Sequence, residues 1–314
     1  MRLAVYLVPL ILPALGALLA RPLSERLHPR AAAWALTLSA LVLAGGSWVV
    51  LGVFALAGLA RIPLVAALGH WSARVVQQGD PASLTEAVAA GALLTAAVVA
   101  AVRMVWRRLR ALVAAGLDAA CMPGSDQLAV VEDPAPDAFA LPGLPGRIVV
   151  STGMLDALES DEQEVLLAHE RSHLRAHHYA FVAAAQLAAT ANPLLRPIAT
   201  AVTYTIERWA DEYAAMVCGD RRRVARTVGK AALATKHTPA RGRLPLAALG
   251  LLGRRDPLRT AGPVPRRVAA LLASPLRVPL LPLVGVAAIL TASMLCAFDA
   301  AHDLHSLIEV AEAG

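Results

Sequence analysis

The sequence predicts a mostly α-helical integral membrane protein, with about four transmembrane helices and an attached α+β domain that contains a small β-sheet. Composition is the first observation, since 57% of residues are hydrophobic and only 17% are charged, which is typical of membrane proteins. The second is a set of four long apolar stretches. The third is a series of short apolar runs, separated by Pro and Gly, in the middle of the chain.

The four apolar stretches cover residues 3–20, 31–60, 84–102 and 278–298, and each is long enough to cross a bilayer core. The first contains Pro9 and Pro13, and a cleaved signal peptide is its alternative interpretation. The later stretches favour an uncleaved anchor. In the second, the pair Gly45 and Gly46 is predicted to permit close helix packing.

The arginines predict the orientation. The loop between the second and third stretches contains fewer arginines than the segments after the first and the third. The first stretch is followed by Arg21, Arg26 and Arg30, and the third by Arg103, Arg107, Arg108 and Arg110. By the positive-inside rule the N-terminus lies outside and residues 107–277 lie in the cytoplasm. We therefore predict a membrane domain over 1–106, a cytoplasmic domain over 107–277, and a last transmembrane helix with a short external tail over 278–314.

One helix of the central region carries two histidines four residues apart. Ser160, followed by acidic residues, predicts its start through a capping box. Because four residues is just over one helical turn, the imidazoles of His169 and His173 project from one face and are spaced to bind a single Zn²⁺. Glu170 beside them is the candidate general base, and this arrangement is typical of zinc peptidases.

A third ligand is needed to support this interpretation. Glu207 and Asp211 lie one helical turn apart farther along the chain. At this spacing one of the two carboxylates can bind the metal while the other orients a ligand imidazole. The alternative for this pair is a solvated helix face. Two histidines and one glutamate leave a coordination position open for water, so the sequence predicts metal-assisted peptide hydrolysis.

The apolar stretch over 179–206 is too short to cross a membrane twice. If His173 and Glu207 at its two ends bind one zinc, however, the chain must return to the side of the membrane that it left. Asn192 and Pro193 interrupt it near its middle. We predict a helical hairpin that dips into the membrane or packs against the bundle. A hairpin buried within the soluble domain is the alternative.

Before the helix that carries His169 and His173, strands are predicted over 127–131, 138–141 and 147–151. Such a sheet can present an edge strand to an extended substrate backbone.

Several further residues have open roles. His177 and His178 are candidates for extra ligands or oxyanion stabilisers, or form a polar helix end. His237 is a candidate oxyanion donor or an exposed loop residue. Arg266 and Arg267 either anchor the domain to lipid or contact the active-site wall.

Composition also indicates partners. The net charge is +6, but only 4% of residues are aromatic and no nucleic-acid motif is present, so we expect the anionic bilayer surface rather than nucleic acid as the partner. The three cysteines are isolated, which disfavours a disulfide framework. No inverted repeat suggests a transporter.

The central region resembles the BlaR/MecR-type membrane zinc metallopeptidases and, more distantly, the HtpX-type membrane metalloproteases. The resemblance covers roughly residues 120–275 and rests on five segments: 137–140, 147–153, 169–173, 207–214 and 266–271. It implies a zincin-like fold in which His169, His173 and Glu207 bind zinc, Glu170 is the base and Asp211 supports the site. It also implies cleavage of a cytoplasmic protein, often a transcriptional repressor, in signalling.

Two alternatives remain beside repressor cleavage: membrane-protein quality control, and a non-proteolytic regulator or scaffold stabilised by zinc. The β-lactam sensors of this family carry an extracellular penicillin-binding domain after their last span. Here 16 residues follow Phe298, and no serine is followed three positions later by lysine. We therefore expect no direct β-lactam binding.

Overall fold

The computed structural model describes residues 2–70, 72, 84–121, 127–143, 146–236, 263–273 and 280–313. Helices α1 to α4 precede a three-stranded sheet, and helices α5 to α11 follow it. The helices before the sheet are α1 Arg2–Arg26, α2 Pro29–Ala60, α3 Pro63–Gly69 and α4 Leu84–Cys121. The strands are β1 Leu128–Val131, β2 Ala138–Leu141 and β3 Arg147–Ser151. The later helices are α5 Thr152–Ala157, α6 Ser160–Arg175, α7 His178–Ala191, α8 Arg196–Cys218, α9 Arg221–Lys236, α10 Pro263–Leu272 and α11 Leu280–Ala313.

Four of these helices, α1, α2, α4 and α11, are long and apolar enough to cross a membrane. They coincide with the four predicted stretches. Helix α4 continues beyond Val102 to Cys121, and α11 continues beyond Phe298 to Ala313, so the tail predicted after Phe298 begins as helix. Charged residues mark where a segment stops being suitable for the hydrocarbon core of a bilayer, but they do not stop the α-helix itself. The orientation and the three domain boundaries stay predictions.

Helix α2 lies at the centre of the bundle and packs against α1, α4, α7, α8 and α11. Glycine permits two of these close approaches. A Cβ on Gly46 would lie 2.6 Å from Ser293 Oγ of α11, and one on Gly58 would lie 2.5 Å from Ala87 Cβ of α4. The prediction of close packing holds for Gly46 but is wrong for Gly45, where an added Cβ meets nothing within 4 Å.

The sheet has the strand order β1-β3-β2, with β1 parallel and β2 antiparallel to β3. The three strands agree with the prediction except that β1 begins one residue later, at Leu128. Every residue of β3 is buried, as expected for a central strand with both faces covered. Strand β2 forms an edge, and it lies against α6.

Helix α6 begins at Ser160 itself, so its N-cap lies one residue before the predicted cap. Its N-cap is Glu159, and the capping box closes through the Glu162 carboxylate, which accepts from the Glu159 backbone N–H at 2.9 Å. The prediction of Ser160 as the cap is wrong, and the side chain of Gln163, three residues later, donates to the Leu155 and Leu158 carbonyls. Two acidic side chains in the first turn also interact favourably with the positive end of the helix dipole.

Helices α7 and α8 form the return path between the two parts of the site. A short 3₁₀ turn over Pro193–Leu195 separates them. Asn192 caps this turn by accepting from the Leu194 backbone N–H, and its amide donates to Ser47 Oγ of α2 at 3.0 Å. The break therefore lies at Asn192 and Pro193, and the two helices pack against each other and against α2. Association of this segment with lipid stays a prediction.

Candidate metal centre

The two motif histidines of α6 meet one carboxylate of α8. His169 Nε2 and His173 Nε2 lie 3.2 Å apart. Glu207 Oε2 lies 3.7 Å from the first of these nitrogens, and Glu207 Oε1 lies 3.8 Å from the second. The three residues form a group whose ligand atoms all lie within 4.8 Å of one another. The structure thus brings together the three ligands that the sequence proposed.

These separations fit a small metal ion. Ligand atoms about 2.0–2.1 Å from a tetrahedral Zn²⁺ lie roughly 3.4 Å from one another, close to the distances between the three groups. Two imidazoles and one carboxylate occupy three positions and leave the fourth open. A closed structural site usually has four protein ligands, so the donor set has the composition of a catalytic site.

Glu170 is buried beside this group, with 7% of its surface exposed. Its carboxylate accepts from the Ala140 backbone N–H of β2. Burial, together with the negative charge of Glu207, raises the pKa of Glu170 to about 7. This value describes the metal-free site, and a bound cation would lower it and favour the carboxylate form that a general base needs.

Asp211 contacts His169 from the side opposite the metal position. Its Oδ1 lies 3.1 Å from His169 Nδ1, so the nitrogen that faces Asp211 carries the proton and Nε2 is free to bind a metal. Burial alone would lower the pKa of His169, but the hydrogen bond and charge of Asp211 raise it. Asp211 therefore orients the ring and favours one tautomer, a position that suits the supporting role implied by the resemblance.

Arg267 of α10 joins the two acidic residues of α8. Its guanidinium donates to Asp211 Oδ1 at 2.6 Å and Oδ2 at 2.7 Å, and to Glu207 Oε2 at 2.8 Å. Burial would raise the pKa of Asp211, but this arginine holds it far below its usual range. Of the two roles left open for Arg267, the structure places it on the site wall. Its neighbour Arg266 instead donates to Glu25 Oε1 of α1 at 2.6 Å and lies over the Tyr204 ring.

His173 has its own partner, His178, the first residue of α7. The two Nδ1 atoms lie 3.0 Å apart, and His178 is fully buried. If His173 binds a metal through Nε2, its Nδ1–H donates to His178 Nδ1. Burial lowers the pKa of both histidines, that of His173 to about 4, so both rings are neutral at pH 7. His178 therefore acts through His173 and is not an additional ligand, whereas His177 is exposed.

The centre is open on one side and lies beside the end of α1 and the start of α2. Glu207 exposes 27% of its side chain, which leaves room for a substrate to approach. On the other side, Arg208 donates to the Ser24 and Glu25 carbonyls near the end of α1. Arg30 of α2 lies over the Trp209 ring. The metal centre therefore borders the end of the apolar bundle, while His237 lies outside the described residues.

Comparison with known proteins adds one finding to this geometry. Residues 103–195 match the model of peptidase family M48. The match supports that family and hence a metallopeptidase. It includes the motif of α6 but ends before Glu207 and Asp211, so it does not bear on the third ligand. No curated protein and no solved structure matches the chain significantly.

Sequence reasoning left two contributors to the centre unassigned. Arg267 lies 56 residues from Asp211, and no local pattern connects them. His178 lies five residues from His173, which in a continuous helix would place it about 140° around the axis. The chain turns between them because His177 adopts a left-handed conformation, with φ of 50°. The sequence left the role of Arg267 open between lipid and the site wall, and it did not pair His178 with His173.

Proposed function

We propose that the chain is a membrane-embedded, zinc-dependent endopeptidase. The observation that carries the proposal is the meeting of His169, His173 and Glu207 around one open position, with Glu170 buried beside it. Zn²⁺ bound there would polarise the scissile carbonyl and lower the pKa of a water molecule. The match to family M48 supports peptide hydrolysis over other reactions of such a centre.

Glu170 performs the proton transfers in this mechanism. It accepts a proton from the attacking water as the new C–O bond forms, and donates that proton to the leaving nitrogen as the C–N bond breaks. Its buried position keeps the carboxylate close to the reacting atoms, and the bond from Ala140 fixes its direction. Asp211 and His178 hold the two imidazoles while Arg267 holds Glu207, so the ligands are arranged before the substrate arrives.

The proposed substrate is a cytoplasmic or membrane protein bound in an extended conformation near the bilayer surface. Strand β2 supports this, because it is an edge strand that lies against the helix of the motif. An extended segment at such an edge forms main-chain hydrogen bonds with little demand on its side chains. A transcriptional repressor is the proposed substrate class, within a signalling role, with the catalytic residues on the cytoplasmic side.

The test is a survey of new protein N-termini in cells that express the wild-type chain or Glu170→Gln at equal levels. New termini with the wild type alone support the proposal, and their identities separate repressor cleavage from membrane-protein quality control. Identical profiles from the two kinds of cell, together with no cleavage of unfolded substrate proteins by the purified wild-type protein, would instead favour a non-proteolytic zinc-stabilised regulator.

A further inference from the structure

An apolar groove of about 420 Å³ lies between α2, α4 and α7, away from the metal centre. Nearly all of its surface is apolar. Its lining comes from aliphatic residues and glycine of the three helices, together with two tryptophans, Trp48 and Trp106. Trp106 exposes 62% of its surface, so the groove opens away from the protein. Because α2 and α4 are apolar enough to cross a membrane, this opening faces acyl chains when they do.

Four arginines of α4 lie at the level of the groove, and Arg110 directly follows its last lining residue on this helix, Leu109. Arg103, Arg107, Arg108 and Arg110 of α4 alternate with the lining residues Val105, Trp106 and Leu109. Arg108 donates to Gln186 Oε1 of α7, the residue that precedes the lining residue Leu187. Arg103, Arg107 and Arg110 are exposed. In the sequence, α2 and α7 contain no acidic residue, and α4 contains none between Glu86 and Asp118.

Packing determines which end of the bundle this is. Gly58 near the end of α2 approaches Ala87 near the start of α4, so the two helices run antiparallel. The arginines therefore lie toward the start of α2, where Arg30 and Trp34 contact Trp209 and Phe181. That is the end that borders the metal centre. Charge and groove coincide at one level of the bundle, where a bilayer changes from acyl chain to headgroup.

We propose that this groove binds one acyl chain of an anionic phospholipid whose phosphate is held by the arginines of α4. Guanidinium groups bind phosphate oxygens with paired hydrogen bonds, and basic pockets between transmembrane helices recognise anionic headgroups. A transmembrane helix of another protein would also fill an apolar groove, but its apolar side chains would not neutralise the positive charge of the arginines. The bound chain packs on α7, whose first residue, His178, supports the metal ligand His173.

The groove tryptophans provide the test without any measurement of activity. Purified full-length protein in detergent is titrated with phosphatidylglycerol or phosphatidylcholine that carries the same brominated acyl chains, which quench tryptophan fluorescence on contact. Subtracting the quenching seen in Trp106→Phe isolates the signal of Trp106. We expect tighter quenching by phosphatidylglycerol.

Two pairs of variants assign the effect. Gly45→Leu fills the groove, because an added Cβ there meets no atom within 4 Å, and Gly285→Leu makes the same change at an equally open position of α11. Gly45→Leu is expected to lose most of the Trp106 quenching and Gly285→Leu to keep it. Arg110→Gln, one helical turn after Trp106, should weaken phosphatidylglycerol binding about fivefold. Arg196→Gln, which changes an exposed arginine on α8, should not.

Equal affinity for the two lipids overturns the proposal, as does full quenching in Gly45→Leu. Absence of quenching of Trp106 by either lipid also overturns it and would indicate that protein covers the groove. Because Arg110 is exposed, its variant tests the headgroup contact even if Gly45→Leu fails to fold.

Discussion

The metal centre and the apolar groove lie toward opposite ends of helix α7, and they are built in opposite ways. The centre is polar and buried, with almost every titratable side chain paired to another: His169 with Asp211, Asp211 with Arg267, and His173 with His178. The groove has almost no polar surface and owes its shape to missing side-chain volume at positions such as Gly45. One region depends on directed hydrogen bonds and the other on space, so substitutions should affect them differently.

The largest effect is expected from the loss of a ligand. His173→Ala removes one of three metal-binding groups, and we expect metal occupancy and peptidase activity both to vanish at micromolar zinc. Metal content after dialysis is the measurement, with Gly45→Leu as a control in the other region that keeps its metal. Full zinc occupancy in His173→Ala would remove this residue from the ligand set.

Glu170→Gln is expected to separate binding from turnover. The amide keeps the shape of the side chain but accepts no proton, so activity should fall by at least ~10²-fold while the metal remains. Zinc content and the rate of peptide hydrolysis, measured on one preparation, give both quantities. Near-normal cleavage would overturn the role of Glu170.

His178→Ala is expected to weaken metal binding by about 10–100-fold, the usual effect of losing the partner of a ligand histidine. His177→Asn is the matched control, because it changes an exposed neighbour and asparagine tolerates the left-handed backbone found there. The visible spectrum of the cobalt-substituted protein reports ligand geometry independently of activity. An unchanged spectrum and affinity in His178→Ala would show that the contact with His173 has no effect on the site.

The pKa of Glu170 predicts a dependence of stability on pH. Its folded value of about 7 lies above the value in an unfolded chain, so ionisation of the carboxyl destabilises the metal-free fold as pH rises toward 7. Glu170→Gln should therefore stabilise the metal-free protein by roughly 1–3 kcal/mol at pH 8 and have little effect at pH 4. Denaturation of chelator-treated protein at the two pH values measures this, and an equal change at both would contradict it.

A change in stability of similar size, without an effect on the metal site, is expected at the sheet, where Gly153 follows β3. A Cβ there would lie 2.1 Å from the Pro134 carbonyl oxygen, so Gly153→Ala forces the β1–β2 connection to shift at a cost of about 1–3 kcal/mol. Gly229→Ala in α9 is the control, since an added Cβ there meets nothing within 4 Å and alanine favours helix. Thermal unfolding compares the two, and equal midpoints would show that the connection moves freely.

The same contrast explains what the sequence could predict. His169 and His173 meet because of the helical repeat, and an apolar stretch defines a membrane helix by length, so both follow from local patterns. Arg267 reaches Asp211 across a long chain separation, and His178 reaches His173 through an unusual backbone angle. The groove depends on which helices become neighbours. Gly45 and Gly46 are identical in the sequence, yet one opens to the groove and the other packs against Ser293.

Glu207 and Arg208 are consecutive residues of α8, and they face different neighbours. Successive side chains project about 100° apart around a helix, so one points to the metal position while the other reaches the last turn of α1. A twist of α8 about its axis cannot disturb one contact and spare the other. The position of Glu207 is therefore linked, through a neighbouring residue of one rigid helix, to the place where α1 ends.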